Sequence, residues 1–170
     1  MGEHPGTMRV WNWQNLVVCA WRGQATSPAA AVLARIMRDL HARASDVRRS
    51  YIHLIPDQAG LPDAAARRTI SNIMTDYEES IACVGVVIEG GGFWASAMRN
   101  VVIGLRVLRK TPFEYRIHAT DEEVVSWLPQ CHTQKTGVPL LGEDLRKLLL
   151  EAHRWQTVQH DEPLARGFSP

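Results

Sequence analysis

No apolar run in this chain approaches the roughly 20 residues that a membrane-crossing helix needs. The polar residues 1–7 carry no basic-then-apolar leader pattern, so a cytoplasmic protein is the expectation. Net charge is nearly absent: nineteen Lys and Arg against eighteen Asp and Glu leave +1, which gives no electrostatic footprint for nucleic acid or an anionic membrane. Cysteine is scarce, and Cys19, Cys83 and Cys131 lie far apart, the first two in apolar strand-like runs. That argues against a disulfide framework and for buried thiols acting as small hydrophobes. Phenylalanine and tyrosine number three each, but tryptophan supplies six, so the aromatic surface is concentrated in indoles.

What is present is organised around residues 81–110. The run Ile81-Ala-Cys-Val-Gly-Val-Val-Ile88 holds no charge and is mostly β-branched or small, as suits a strand buried on both faces. Glu89 ends it, and Gly90, Gly91 and Gly92 allow a sharp turn. From Phe93 the apolar spacing turns helical, with Ala97, Val101, Leu105 and Leu108 on one face. Strand, turn and helix make half of a βαβ unit.

The rest of the chain repeats the alternation. Residues 8–21 read as a hairpin of two strands turning at Gln14-Asn15, with Trp11 and Trp13 on a shared face. Ser27 is placed to cap a first helix with Pro28 at its start and Ala29, Leu33, Ile36, Met37 and Leu40 inward. Residues 46–50 read as a polar linker and 51–55 as a short strand. A loop over 56–63 leads into a second helix whose Ala66, Ile70, Ile73, Met74 and Tyr77 face the core. Beyond Thr111-Pro112, residues 113–119 alternate apolar and polar as an edge or half-wet strand does. Thr120 and Glu123 then form a capping box at the start of a short fourth helix that carries Val124, Val125 and Leu128.

After Pro129 the polar residues 130–141 read as a linker, with Cys131-His132 as ordinary surface. Residues 142–159 follow as an amphipathic helix with Leu145, Leu148, Leu149, Ala152 and Trp155 in one stripe. The expected organisation is therefore a flexible start over 1–7, an α/β domain over 8–129, the linker, the C-terminal helix, and a flexible tail over 160–170. The fold class is α/β: a mostly parallel sheet of about five strands with an N-terminal β-hairpin, four helices and an additional C-terminal one.

This order of elements, with its short loops and closing capped helix, resembles the STAS family of anti-sigma-factor-antagonist-like domains and their lipid-binding relatives with a similar sheet. The resemblance spans residues 8–129 and implies the fold more than the function. In the antagonist branch, a loop after the middle strand carries an Asp-Ser-Ser-Gly-Leu type motif whose phosphorylation switches partner binding. Here the loop reads Asp57-Gln58-Ala59-Gly60-Leu61, so both hydroxyls are replaced and no phospho-switch is expected. The helix beyond Gly142 departs from the minimal domain.

No set of residues has the spacing of a catalytic or metal constellation. There is no GxGxxG, phosphate loop, HExxH or GxSxG, and no cofactor is expected. In a parallel sheet, the loop with Asp57, Gln58 and Gly60 and the turn with Glu89, Gly90, Gly91, Gly92, Phe93 and Trp94 share the C-terminal edge. Arg99 stands on the following helix. These ten residues are the candidate partner- or ligand-binding set. The favoured function is a non-catalytic regulatory or protein-interaction module whose partner is another protein. The alternative is a small-molecule or lipid-binding protein with its pocket near the Gly90–Gly92 turn. An enzyme comes third, and it requires Glu89, His53 and His118 to converge. The outward tryptophans of the hairpin and the stripe of the last helix must each be covered, either by one another or across a homodimer.

Overall fold

A computed structural model describes residues 6–57, 59–107 and 112–158. Gln58, the tail over 160–170 and most of the start over 1–7 lie outside the described residues, as do the side chains of Leu105 and Leu108. The elements run β1 (Met8–Trp13), β2 (Leu16–Trp21), α1 (Ser27–Arg43), β3 (Arg49–Ile55), α2 (Ala64–Asp76), β4 (Ile81–Ile88), α3 (Gly92–Val107), β5 (Glu114–His118), α4 (Asp121–Thr136) and α5 (Gly142–Thr157). They form one five-stranded sheet in the order β1-β2-β3-β4-β5, with β1 antiparallel to β2 and all other pairs parallel. The expected fold class is borne out.

Each parallel strand neighbours the next in sequence, so crossovers of one hand put their helices on one side of the sheet. Accordingly α1, α2 and α3 line one face, over a core that includes Val17, Cys19, Tyr51, Val84 and Val86. The opposite face carries Leu16, Val18, Ile52, Leu54 and Val87, and is covered by Val124, Leu128, Leu145 and Leu149 of α4 and α5. All eight residues of β4 are buried, which is why its sequence reads as a continuous apolar run. At Gly85 the layers meet closely: a Cβ there would lie 3.0 Å from Val124 and 3.4 Å from Trp127.

Four local expectations need correction. The side-chain cap of α1 is not Ser27, for the helix starts after Thr26 and the Ser27 amide donates to Asp63 Oδ2 at 2.9 Å. Asp63 also caps α2 by accepting from the Ala66 amide at 2.7 Å, so one carboxylate ties two helix starts. The hydrogen bonds from the Ala66 and Ser27 amides hold the Asp63 carboxyl below its ordinary range. Next, Arg49 and Ser50 belong to β3 and are buried, so the polar linker is shorter than expected. Third, the buried face of α3 is Ala95, Met98 and Val102, one position round from Ala97 and Val101. Its period is ambiguous because apolar residues occur on most of its sides. Finally, α4 does not end at Pro129.

The fourth helix runs on to Thr136 and is closed by Gly137 at φ 73°. The missing Pro129 amide removes one helical bond, but Leu128 before it and Cys131 and His132 beyond it are buried, and that burial holds the helix together. Residues 130–136 are therefore not linker, and Cys131-His132 is not surface. His132 Nδ1 lies 2.8 Å from Ser50 Oγ, which lies 3.0 Å from Cys83 Sγ, a small polar chain inside an apolar layer.

The stripe of α5 docks on the sheet of its own chain. The Trp11 indole donates to Glu151 at 2.9 Å and meets Trp155 edge-on at 6.1 Å, while the Arg22 guanidinium lies 3.9 Å from the Trp155 ring and donates to its carbonyl. The hairpin tryptophans and the last helix thus cover each other within one chain.

Candidate functional site

Strands β2, β3 and β4 end together, and the Glu89 amide donates to the Ile55 carbonyl at 3.1 Å, which keeps the loops after β3 and β4 side by side. Gly90 has φ 82°, and a Cβ there would lie 2.7 Å from that of Asp57, so only glycine fits. The loop over 57–63 and the turn over 89–94 share one edge, as the parallel reading required. Phe93 is 91% exposed, Gly91 is exposed, and Trp94 and Arg99 are half-buried, Trp94 against the core under α3.

Glu89 does have a histidine, but not one of the two that were candidates. His153 of α5 places Nδ1 3.2 Å from Glu89 Oε1 and 2.9 Å from Gln156 Oε1, and Nε2 2.8 Å from Asp121 Oδ2. Both ring nitrogens face acceptors, so the geometry calls for the doubly protonated ring. The hydrogen bond to Asp121, aided by the Asp121 and Glu89 charges, raises the His153 pKa despite partial burial. Burial raises that of Glu89 more than His153 lowers it, and Asp121 and Asp57 add to the rise. Gln156 donates to the carbonyls of Trp21 at 2.7 Å and Leu54 at 3.3 Å. The cluster therefore pins α5 to the ends of β2, β3 and β4 and to the start of α4.

His53 and His118 go elsewhere, and the convergence that the enzyme reading required does not occur. His118 is buried against Trp127, 5.3 Å between ring centroids, with Glu123 at 3.9 Å. His53 lies on the opposite face of the sheet. Sequence spacing had no means of finding His153, which is 64 positions from Glu89 and sits on a helix that reads as an appendage. Among the described residues no group of three or more His, Cys, Asp or Glu is arranged to hold a metal ion.

A second feature is a cavity of about 90 Å³ between the sheet and its three crossover helices. Helices α1 and α2 pack directly on one another, and space is left between the three helices and the strands beneath them. Its floor is Tyr51, His53, Val84 and Val86. Leu33, Met37, Ile73 and Met98 close it from the helices, and Ala59, Gly60 and Pro62 border it at the C-terminal edge. No Asp, Glu, Lys or Arg is among its described lining residues. Cys19, buried beneath the same face, has its thiol pushed up to about 12 by loss of water. Burial takes His53 down to about 4. Gly90, Gly91 and Gly92 are not among its described lining residues. Gly60, one of the candidates, does line it. Ala59, which occupies a serine position of the resembled motif, is buried in its wall.

No family model matches the sequence, and no curated protein matches it. Among solved structures, an uncharacterised protein of the DUF3478 family from Shewanella loihica PV-4, with a SpoIIAA-like fold, superposes with a TM-score of 0.52. The match covers 71% of this chain and 91% of that one at 12% identity. This chain has a SpoIIAA-like fold. The STAS-type resemblance read from its elements is therefore borne out for the architecture, while identity at this level carries no activity with it.

Proposed function

We propose that this protein is a non-catalytic binding module that takes up a small apolar molecule between its sheet and helices α1, α2 and α3. The observation that carries this reading is the cavity itself, uncharged among its described lining residues and bordered by the loop after β3. At about 90 Å³ it is of the same order as an engineered cavity of about 150 Å³ that stays dry and binds benzene. Open α/β sheets place ligands at the C-terminal ends of their strands, where this cavity has its loop border. Met37, Met74 and Met98 line it, whereas Met8 is buried in the same core away from it. Titration with methylenecyclohexane, followed by ¹³C-methyl NMR, should shift the first three methyls and leave Met8 nearly still. Uniform small shifts, or none, would contradict the reading.

A second reading, a protein-contact surface at the C-terminal edge, is favoured by the 91% exposure of Phe93 beside the glycine turn and Asp57. Asp57, Glu89, Gly90–Gly92, Trp94 and Arg99 would frame it. Phe93→Ser should weaken a partner pull-down without lowering the melting temperature. Unchanged binding would count against that surface.

A further inference from the structure

We infer that the cavity selects a neutral guest bearing a carbonyl-type hydrogen-bond acceptor, and that His53 Nε2 supplies the donor. This rests on the apolar-binding reading above and adds to it the chemical class of the ligand.

The argument begins with Trp21. An indole N–H can only donate, and Trp21 Nε1 lies 3.4 Å from His53 Nδ1, with the two rings stacked at 21°. His53 Nδ1 must therefore present a lone pair. The ring is then neutral, and its single proton stands on Nε2. Among the described residues no hydrogen bond engages Nε2, although His53 lines the cavity. His53 is half-buried, so its free N–H is left to water at the cavity, and a guest that brings an acceptor takes the place of that water.

The remaining polar side chains of the wall do not set the same preference. Tyr51 and Tyr115 carry hydroxyls that either donate or accept, so neither discriminates between guest donors and acceptors. A carboxylate guest would enter a space with no lysine or arginine among its described lining residues, and its desolvation would be unpaid. A guest whose only polar group is a donor would face the His53 N–H, donor against donor. A ketone or ester carbonyl satisfies His53 and adds no charge. His53 and Trp21 lie at the carboxyl-terminal halves of their strands, so the polar end of the guest sits beneath the loop with Ala59, Gly60 and Pro62, and its apolar body extends toward Met37, Ile73 and Ile81.

Cyclohexanone and methylenecyclohexane have nearly the same shape and differ in whether the exocyclic atom accepts a hydrogen bond. Their affinities, read from the Met98 methyl shift, should change unequally in His53→Phe: cyclohexanone weaker by about fivefold, the worth of one net hydrogen bond, and methylenecyclohexane unchanged or tighter. Cyclohexanecarboxylate should bind neither protein measurably at pH 7. If His53→Phe fails to fold, imidazole ¹⁵N shifts of the wild-type protein decide the matter. They should report the proton on Nε2, with a further shift on adding cyclohexanone. Equal losses for both probes, tighter binding of the carboxylate, or an Nδ1-protonated ring would overturn the assignment of His53 while leaving apolar binding standing. Failure of all three probes to bind would overturn the apolar-binding reading itself.

Discussion

The two faces of one sheet are built from the same strands and behave as different materials. On the α4–α5 face the layers over β2, β3 and β4 meet closely: Gly85 lets Val124 and Trp127 approach, the His132–Ser50–Cys83 chain bonds its own polar atoms, and the Trp11–Trp155 contact covers the margin. On the α1–α2–α3 face the residues are as apolar, yet a cavity remains and His53 faces it with an unengaged nitrogen. Hydrophobic composition alone does not determine packing density. The difference lies in the crossover helices: α1 and α2 pack on one another more closely than any of the three packs on a strand, whereas α4 lies close on β4 and α5 on β2. We read the closed face as the part that holds the fold and the open face as the part that binds.

The sharpest way to break this comparison is to remove the same side chain on each side. Leu145→Ala, at 0% exposure on the closed face, should cost about 4 kcal/mol in urea unfolding, and Leu33→Ala on the cavity wall about 2–3 kcal/mol, because the open face relaxes around the loss. The reverse order would sink the distinction. A smaller effect is expected from Ser50→Ala, which leaves the buried His132 nitrogen without its partner and should cost about 1–3 kcal/mol by the same assay. Adding His132→Leu should recover part of that loss, since the orphaned nitrogen goes with it.

The margin of the closed face should respond to pH. His153 has its pKa raised above the ordinary 6.5 by Asp121 and Glu89, so its stabilisation is complete below about pH 6.5 and is lost as the pH climbs through the raised value. Glu89 must also be ionised, so the pair is complete only above the raised Glu89 pKa. The stability difference between wild type and His153→Gln should be about 0.5–1 kcal/mol near pH 6 and shrink toward pH 8.5. A difference that grows with pH would contradict the cluster. His53, lowered by burial, acts in the other direction and costs stability as the pH falls below 6.5. The smallest effect expected is from Val84→Ile, which adds one methylene at the cavity wall and should change stability by less than about 0.5 kcal/mol, where the same addition in a filled core costs about 1–3 kcal/mol.

The fold was legible because its signals are local. The uncharged run of β4 agrees with its complete burial, the Thr120–Glu123 box closes as read, with Thr120 Oγ1 accepting at 3.3 Å and Glu123 bonding the Ala119 amide at 2.8 Å, and the stripe of α5 is buried. The shared edge of Asp57 and Glu89 followed from parallel topology. What escaped was decided by distant contacts. Pro129 reads as a stop only if the burial of Cys131 and His132 is unknown. His153 meets Glu89 only because α5 folds back over β2. The cavity has no sequence signature, since its lining residues have the spacing of an ordinary core and only the placement of the crossover helices leaves them apart. The six tryptophans divide accordingly, with Trp11 and Trp155 sealing the closed face and Trp21 orienting the one polar ring on the open face that can tell guests apart.

Xenon tests the central contrast most directly, because it asks only whether there is apolar room. In a protein with ¹³C-labelled Met and Leu methyls, xenon pressure should shift Met37, Met74, Met98 and Leu33 in a saturable way and leave Leu128, Leu145 and Leu149 in place. Shifts of equal size on both faces, or none on the cavity wall, would contradict the account that one face is closed and the other is built to be occupied.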